Sequence, residues 1–332
     1  MESNALAAKM PTLANGSADA GTANDATKEA SQLSELMSEF GPLRSAIEEG
    51  LERWTVGSEG CPERLAAAMR YSVLSPGKRL RPLLSLLACE AVSGQWQPAI
   101  PAACAIEFVH VYSLIHDDLP AMDDDVLRRG QPTCHVQFDE ATAILAGDSL
   151  QMLAMQVLSQ ELPADVALRC VQILSDAAGR CRLVGGQADD LAAEGRFGAV
   201  DMSELSPIEF LKSIHRRKTS ALIEASLLMG GVAGGANLDH LRCLGLFGQA
   251  IGLAFQIVDD CLDVESTAEQ LGKNTRKDSG MGKLTYPGLL GLAESRELAE
   301  RLISEACAAT AVFNERGSRL ARLARFVVDR KV

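Results

Sequence analysis

The chain is predicted to be all-α, a single-domain antiparallel bundle of ten or more helices around a central cavity. Three observations predict this. Apolar residues recur at spacings of three and four through most of the length, the period of a helix with one buried face. Sustained two-residue alternation bounded by turn residues, the mark of a half-buried strand, is almost absent. The composition is 47% hydrophobic but only 4% aromatic, which favours aliphatic helix packing over a β-sandwich. At 332 residues there is enough chain for one large helical domain or two average ones, and residues 31–332 read as one.

Residues 1–30 are rich in Ala, Ser, Asn, Thr and Gly without periodicity, and predict a disordered or loosely ordered extension. Leu33, Leu36, Met37, Phe40, Leu43, Ile47 and Leu51 then predict a helix or helices over 33–54, around Gly41 and Pro42. Helical patterns follow over Pro62–Val73, Leu80–Val92, Pro101–His116 and Ala141–Gln160. The series continues through Val166–Val184, Pro207–Ile214, Thr219–Leu228, Leu238–Val264, Tyr286–Cys307 and Leu320–Val328. Gly230–Asn237 is expected to be a flexible turn, with no phosphate-loop signature.

A net charge of −12 argues against nucleic acid as a partner. Nine cysteines, an odd number with no CxxC pair, argue against a disulfide framework and for a reducing interior. No run approaches the roughly 18 uninterrupted apolar residues of a membrane span, so no stable membrane insertion is expected. The N-terminus has neither an apolar signal core nor an Arg-rich transit pattern, and the expected location is cytoplasmic.

The chemistry concentrates in Glu107–His135. Phe108, Val111, Leu114 and Ile115 recur at helical spacing, which puts Asp117 and Asp118 at the C-terminal end of a buried helix. The helix dipole is negative there, so paired aspartates call for a bound cation. Asp123, Asp124 and Asp125 add carboxylates after the Leu119-Pro120 break. Oxygen ligands without a Cys or His pair suit a hard ion such as Mg²⁺, held by one or two carboxylates and substrate phosphates. Arg128 and Arg129 read as phosphate donors. A second cluster, Asp259, Asp260 and Asp263, ends another apolar run; Asp259 and Asp263 share a helix face, where like charges repel unless a cation lies between them. Two such clusters facing each other across a bundle would form a metal site. Lys78 and Arg81, in Gly77-Lys78-Arg79-Leu80-Arg81-Pro82, stand at a helix start, a plausible anion seat.

The two acidic stretches, Asp117-Asp118-Leu119-Pro120-Ala121-Met122-Asp123 and Asp259-Asp260-Cys261-Leu262-Asp263, resemble the aspartate-rich motifs of the trans-isoprenyl diphosphate synthases (polyprenyl synthetases). The first has the longer spacing of bacterial-type farnesyl and many geranylgeranyl diphosphate synthases. The similarity runs from about Leu51 to the C-terminus. It implies the isoprenoid synthase-like bundle and Mg²⁺-assisted condensation of isopentenyl diphosphate with allylic diphosphates (dimethylallyl, geranyl), with released pyrophosphate taking the final proton. By the resemblance, three Mg²⁺ ions are expected, with Mn²⁺ as a substitute: Asp117 and Asp123 hold two and Asp259 a third, supported by Asp118, Asp260 and Asp263. Lys78, Arg81, His110 and Arg129 are assigned to isopentenyl diphosphate, and Arg128, Lys218 and Lys273 to the allylic diphosphate. Thr219 faces the developing carbocation, Phe255 and Gln256 match the Phe-Gln before the second motif, and Lys283 matches a later lysine of less defined role. The family usually forms homodimers.

In this family the residues four and five positions before the first aspartate, here Ser113 and Tyr112, face the growing product tail. A helical turn is about 5.4 Å, close to one isoprene unit, so bulky Tyr112 is expected to stop growth at C15, farnesyl diphosphate. The C20 product, geranylgeranyl diphosphate, is the alternative. A terpene cyclase would replace the second motif with an Asn-Ser/Thr-Glu triad, and a non-catalytic regulatory subunit of a prenyltransferase heteromer typically loses an acidic motif. Both motifs are intact.

Overall fold

The structure, a computed structural model, describes residues 38–57, 59–197, 205–271 and 284–328, the side chains of 266–271 and 327–328 excepted. It has two compact units, Met1–Pro42 and Leu43–Val332. Of the first only residues 38–42 are described; the expected extension over residues 1–30 lies outside the described residues. The second unit carries everything discussed below.

Helices α1 (Gly41–Thr55), α2 (Glu63–Val73) and α3 (Leu80–Ser93) are followed by a 3₁₀ turn at Gln97–Ala99 that runs into α4 (Ile100–Asp117). A small hairpin, β1 (Leu127–Arg128) and β2 (Gln131–Pro132), and the short α5 (Cys134–Gln137) lead to α6 (Glu140–Glu161). Next come α7 (Ala164–Ala178), α8 (Leu183–Ala193), α9 (Pro207–His215), a π-helical segment at Arg216–Ser220, α10 (Ala221–Ala233) and α11 (Leu238–Leu271). The described chain closes with α12 (Tyr286–Leu290), α13 (Leu292–Ala309), a 3₁₀ stretch at Thr310–Gly317 and α14 (Ser318–Val328). The all-α class is therefore as expected.

Local chemistry explains several of the boundaries. Ser206 and Glu209 form a reciprocal capping box at the start of α9, with Pro207 in its first turn. The Asp139 carboxylate accepts from the Thr142 amide at 2.7 Å to cap α6. α3 stops at Gly94, whose left-handed backbone lets its amide donate to the Glu90 carbonyl at 2.8 Å.

The core is laid around α10. Nearly all of its residues are buried, and it packs against α3, α4, α7 and α11. Glycines permit that closeness: a Cβ at Gly230 would stand 2.0 Å from the Ser85 carbonyl oxygen of α3, and one at Gly252 of α11 would stand 2.7 Å from Ser220. Gly230 and Gly231 are thus helical, and the turn expected over Gly230–Asn237 shrinks to its second half because these glycines are needed inside the helix for contact. Two predicted helices break. Val166–Val184 stops after Ala178, where Gly179 is extended, and a new helix starts at Leu183. Tyr286–Cys307 is divided at Gly291, whose φ of 86° leaves the helical region.

Three helical stretches, Gln97–Asp117, Glu140–Glu161 and Leu238–Glu265, are long and apolar enough to cross a membrane by length and composition, although none is an uninterrupted apolar run. In this fold 67%, 44% and 61% of their apolar windows are buried inside the protein, which accounts for much of the apolarity by packing. All nine cysteines are free thiols.

Candidate active site

α4 delivers the first acidic motif. Its interior turns are largely buried, from Ala102 to Tyr112; its last residue, Asp117, is half-buried and the capping residue, Asp118, is buried. The chain then turns on Leu119-Pro120 and folds back: the Asp123 amide donates to the Asp117 carbonyl at 2.8 Å, and the Asp124 amide to that of Leu119 at 3.1 Å. Asp124 takes a left-handed φ of 56° to make this turn. Burial pushes the Asp117 carboxyl up to about 6, opposed by Lys218 and reinforced by Asp123 and Asp118. Asp118 is committed elsewhere, since Arg128 grips both of its oxygens, with Nε at 2.7 and 3.0 Å and Nη2 at 2.5 Å.

The hairpin that brings Arg128 there is built on Arg129-Gly130, which join paired Arg128 and Gln131 with φ of 54° and 78°. Positive φ at both central residues is the two-residue turn that matches strand twist. Arg128, the last residue of β1, reaches Asp118, and Arg129, the first residue of the turn, reaches the turn before α3. There Arg129 Nη1 donates to the Pro76 carbonyl at 2.8 Å. Gly77 makes room, because a Cβ on it would be 2.4 Å from that same nitrogen.

An anion seat results. Arg81, at the start of α3, donates from Nη1 to His110 Nε2 at 3.2 Å, which requires a neutral imidazole with its proton on Nδ1. Burial holds His110 well below 6.5, and Arg81 and Arg129 add to the effect. Burial also lowers Arg81 to about 10; Glu107 and then Asp259 oppose, while Arg129 adds. Arg81 Nε is buried and has no hydrogen-bond partner among the described residues. Lys78, in the same turn, is exposed.

Across the site, the π-helical segment displays Lys218 and Thr219. Lys218 Nζ donates to Asp190 of α8 at 2.6 Å. Burial lowers its pKa, but Asp190, Asp117 and Asp123 outweigh this and the ammonium stays charged. Thr219 Oγ1 donates to Gln256 Oε1 at 3.1 Å; Gln256 Nε2 donates to Asp260 Oδ1 at 3.0 Å, and Asp260 Oδ2 accepts from the Tyr286 amide at 3.0 Å. Asp260 is therefore occupied in fixing Gln256 and the start of α12. Asp259 is half-buried and its charge reaches Arg81, whereas Asp263, one turn on, is exposed. Phe255 is half-buried beside Gln256. Tyr112 is buried and stacks edge-on against His116 with ring centroids 5.8 Å apart, and Ser113 Oγ donates to the His110 carbonyl at 2.8 Å. Lys273 and Lys283 lie outside the described residues.

The residues present fit a hard divalent cation. Among the described residues no three His, Cys, Asp or Glu side chains converge tightly enough to hold a metal by themselves. The oxygen-only pair of Asp117 and Asp123, the first half-buried with its carboxyl pushed up, suits an ion that completes its shell with water and substrate oxygens.

Sequence reasoning missed α8. Asp190 anchors Lys218, and Asp189 pairs with Arg217 on the same segment. Gln187 is buried with both amide atoms unpartnered among the described residues. A Cβ on Gly186 would meet the Lys218 amide nitrogen at 2.5 Å, so the two segments touch through backbone. The available signal was a third Asp-Asp pair, Asp189-Asp190, like those at 117–118 and 259–260.

A family model described as polyprenyl synthetase matches residues 62–315. The chain belongs to the polyprenyl synthetase family. Among relatives in that family, it is 47% identical over 250 residues to heterodimeric geranylgeranyl pyrophosphate synthase large subunit 1 of Arabidopsis thaliana, covering 74% of this chain. It spans 66% of that relative, just under two thirds of its length. It is 44% identical over 290 residues to a dimethylallyltranstransferase of Fischerella ambigua, covering 86% of this chain and 81% of the relative. The apo crystal structure of an FPP/GFPP synthase from Zymomonas mobilis superposes with a TM-score of 0.77 at 38% identity, covering 89% of this chain and 99% of that one.

Proposed function

We propose that this polyprenyl synthetase is a short-chain trans-prenyltransferase that condenses isopentenyl diphosphate with dimethylallyl and geranyl diphosphates, giving farnesyl diphosphate and pyrophosphate. The observation that carries the reading is the pair of cationic seats on either side of the Asp117 carboxylate. One comprises Arg81, His110 and Arg129, with a buried guanidinium nitrogen left for an anion; the other comprises Arg128 and Lys218. Two seats suit two diphosphates, one kept and one lost.

Asp117, Asp123 and Asp259 would hold magnesium, which when bound would supply charge neutralisation for a departing diphosphate. The protein's own groups do the rest. Arg128 and Lys218, held by Asp118 and Asp190, offer fixed positive charge to the allylic leaving group in a half-buried site, where such charges act strongly. The allylic C–O bond breaks with its electron pair on the diphosphate. Thr219 and Gln256, locked by Asp260, present oxygens to the carbocation. The other seat fixes the isopentenyl double bond for attack, which converts an encounter into an intramolecular geometry. The proton then lost from the new tertiary cation goes to the departed diphosphate.

Tyr112, buried one helical turn and more before Asp117, supports a C15 product. The C20 reading is favoured by the geranylgeranyl synthase names of the relatives. A homodimer through α6, where Ile144, Leu145 and Met152 are exposed, belongs to the same proposal. The test is incubation with Mg²⁺, isopentenyl diphosphate and each allylic diphosphate in turn, with product length read by mass spectrometry. A dominant C15 product that lengthens in Tyr112→Ala supports the reading; mainly C20 refutes the Tyr112 floor; no elongation by folded protein refutes the activity.

A further inference from the structure

The residue between the two cations of the α3 turn has been given no task, yet it is the most heavily bonded side chain in the neighbourhood. Arg79 is 3% exposed, and its φ of 49° places a non-glycine residue in the left-handed region. Its guanidinium donates to Glu48 of α1 at 2.8 and 3.1 Å and to Glu107 of α4 at 2.8 Å. It also donates to the carbonyls of Val73 at 2.8 Å and Ser75 at 3.1 Å. Its carbonyl accepts from the Leu83 amide at 3.1 Å, opening α3.

Two other arginines converge on the same turn. Arg129 donates to the Pro76 carbonyl at 2.8 Å and Arg44 to the Gly77 carbonyl at 3.4 Å, so carbonyls from Val73 to Gly77 are fastened by three guanidinium groups. The turn carries Lys78 at one end and Arg81 just beyond. Glu107 lies one helical turn before His110, so the Arg79–Glu107 pair ties the two halves of the anion seat together. Glu107 is also buried and acts on Arg81 and Arg129, and so supplies negative charge within a group of close cations.

We propose that Arg79, clamped by Glu48 and Glu107, is a positioning residue that sets the spacing of Lys78, Arg81, His110 and Arg129 for the diphosphate of the homoallylic substrate. It touches no substrate itself. This inference rests on the prenyltransferase reading above. A lysine cannot reproduce the planar fork, so charge alone does not replace Arg79.

The experiment compares steady-state kinetics of Arg79→Lys and Glu48→Ala with wild type, each diphosphate varied in turn at saturating Mg²⁺ and partner. Melting temperatures are measured alongside. Arg79→Lys should raise KM for isopentenyl diphosphate about tenfold, with KM for geranyl diphosphate within about twofold of wild type. Glu48 is partly exposed, so Glu48→Ala opens no core cavity while it removes two of the hydrogen bonds that hold the Arg79 guanidinium; it should show the same selectivity, about threefold, and decides the matter if Arg79→Lys does not fold. Selective loss in either variant supports the proposal. Wild-type KM for both substrates in both, or equal loss for both substrates tracking a lowered melting temperature, overturns it and reduces Arg79 to scaffold. Wild-type protein that elongates no allylic diphosphate overturns the functional reading together with this one, and so is distinguished from failure of the positioning role alone.

Discussion

At the scale of single residues, the acidic motifs divide their labour in a way the spelling Asp-Asp conceals. Asp117 stands half-buried with its carboxyl pushed up while the buried Asp118 is neutralised by Arg128, and the charge of Asp259 acts on Arg81 while Asp260 holds Gln256 and Tyr286. In metal-free protein the folded pKa of Asp117, about 6, lies above its ordinary value. Its contribution to stability is therefore fully present below pH about 4 and is lost as pH rises through about 6. Asp117→Asn should raise the melting temperature of metal-free protein at pH 8, with the gap closing near pH 4, while kcat falls on the order of 10²–10³-fold. His110 has the opposite sign: its folded pKa is depressed, so its contribution is present above pH about 6.5 and lost below. The melting temperature of His110→Asn should fall less between pH 7 and pH 5 than that of wild type. The aspartates were legible because they end apolar helices and Arg81 because it stands at a helix start, whereas His110 was legible only through the family resemblance. Arg79 and Glu107 were not: their importance is a matter of which guanidinium meets which carboxylate, and that depends on packing between α1, α3 and α4.

At the scale of elements, the long periodic helices were readable, and the failures fell where backbone geometry overrode pattern. The hairpin is too short for alternation, and only the Arg129-Gly130 turn announces it. α8 was missed: the predicted helix over Val166–Val184 ran across the break at Gly179 and stopped at Val184, which left the rest of α8 unassigned. Its value lies in the contact with the π-helical segment, whose widened turn presents Lys218 and Thr219. Gly186→Ala places a methyl group against the Lys218 backbone, where no side chain can yield. The expected result is at least about a tenfold loss of kcat/KM for the allylic substrate, with KM for isopentenyl diphosphate nearly unchanged.

At the scale of the molecule, the bundle is held by close approach around α10, and Gly230→Ala should test that. A Cβ 2.0 Å from the Ser85 carbonyl forces α3 and α10 apart, an overpacking worth about 2–3 kcal/mol, read as a lowered denaturation midpoint in urea. The seats themselves draw on positions far apart in the chain, so Glu107–His135, which carries His110, Asp117, Asp123, Arg128 and Arg129, works only once Arg81, Lys218 and Asp259 are docked against it. Such distant pairings carry the largest loop-closure entropy and form late. Recovery of catalysis after denaturation is thus a clock for the final docking of α10 and α11 against α3 and α4, and helix content, restored earlier, tells nothing of it.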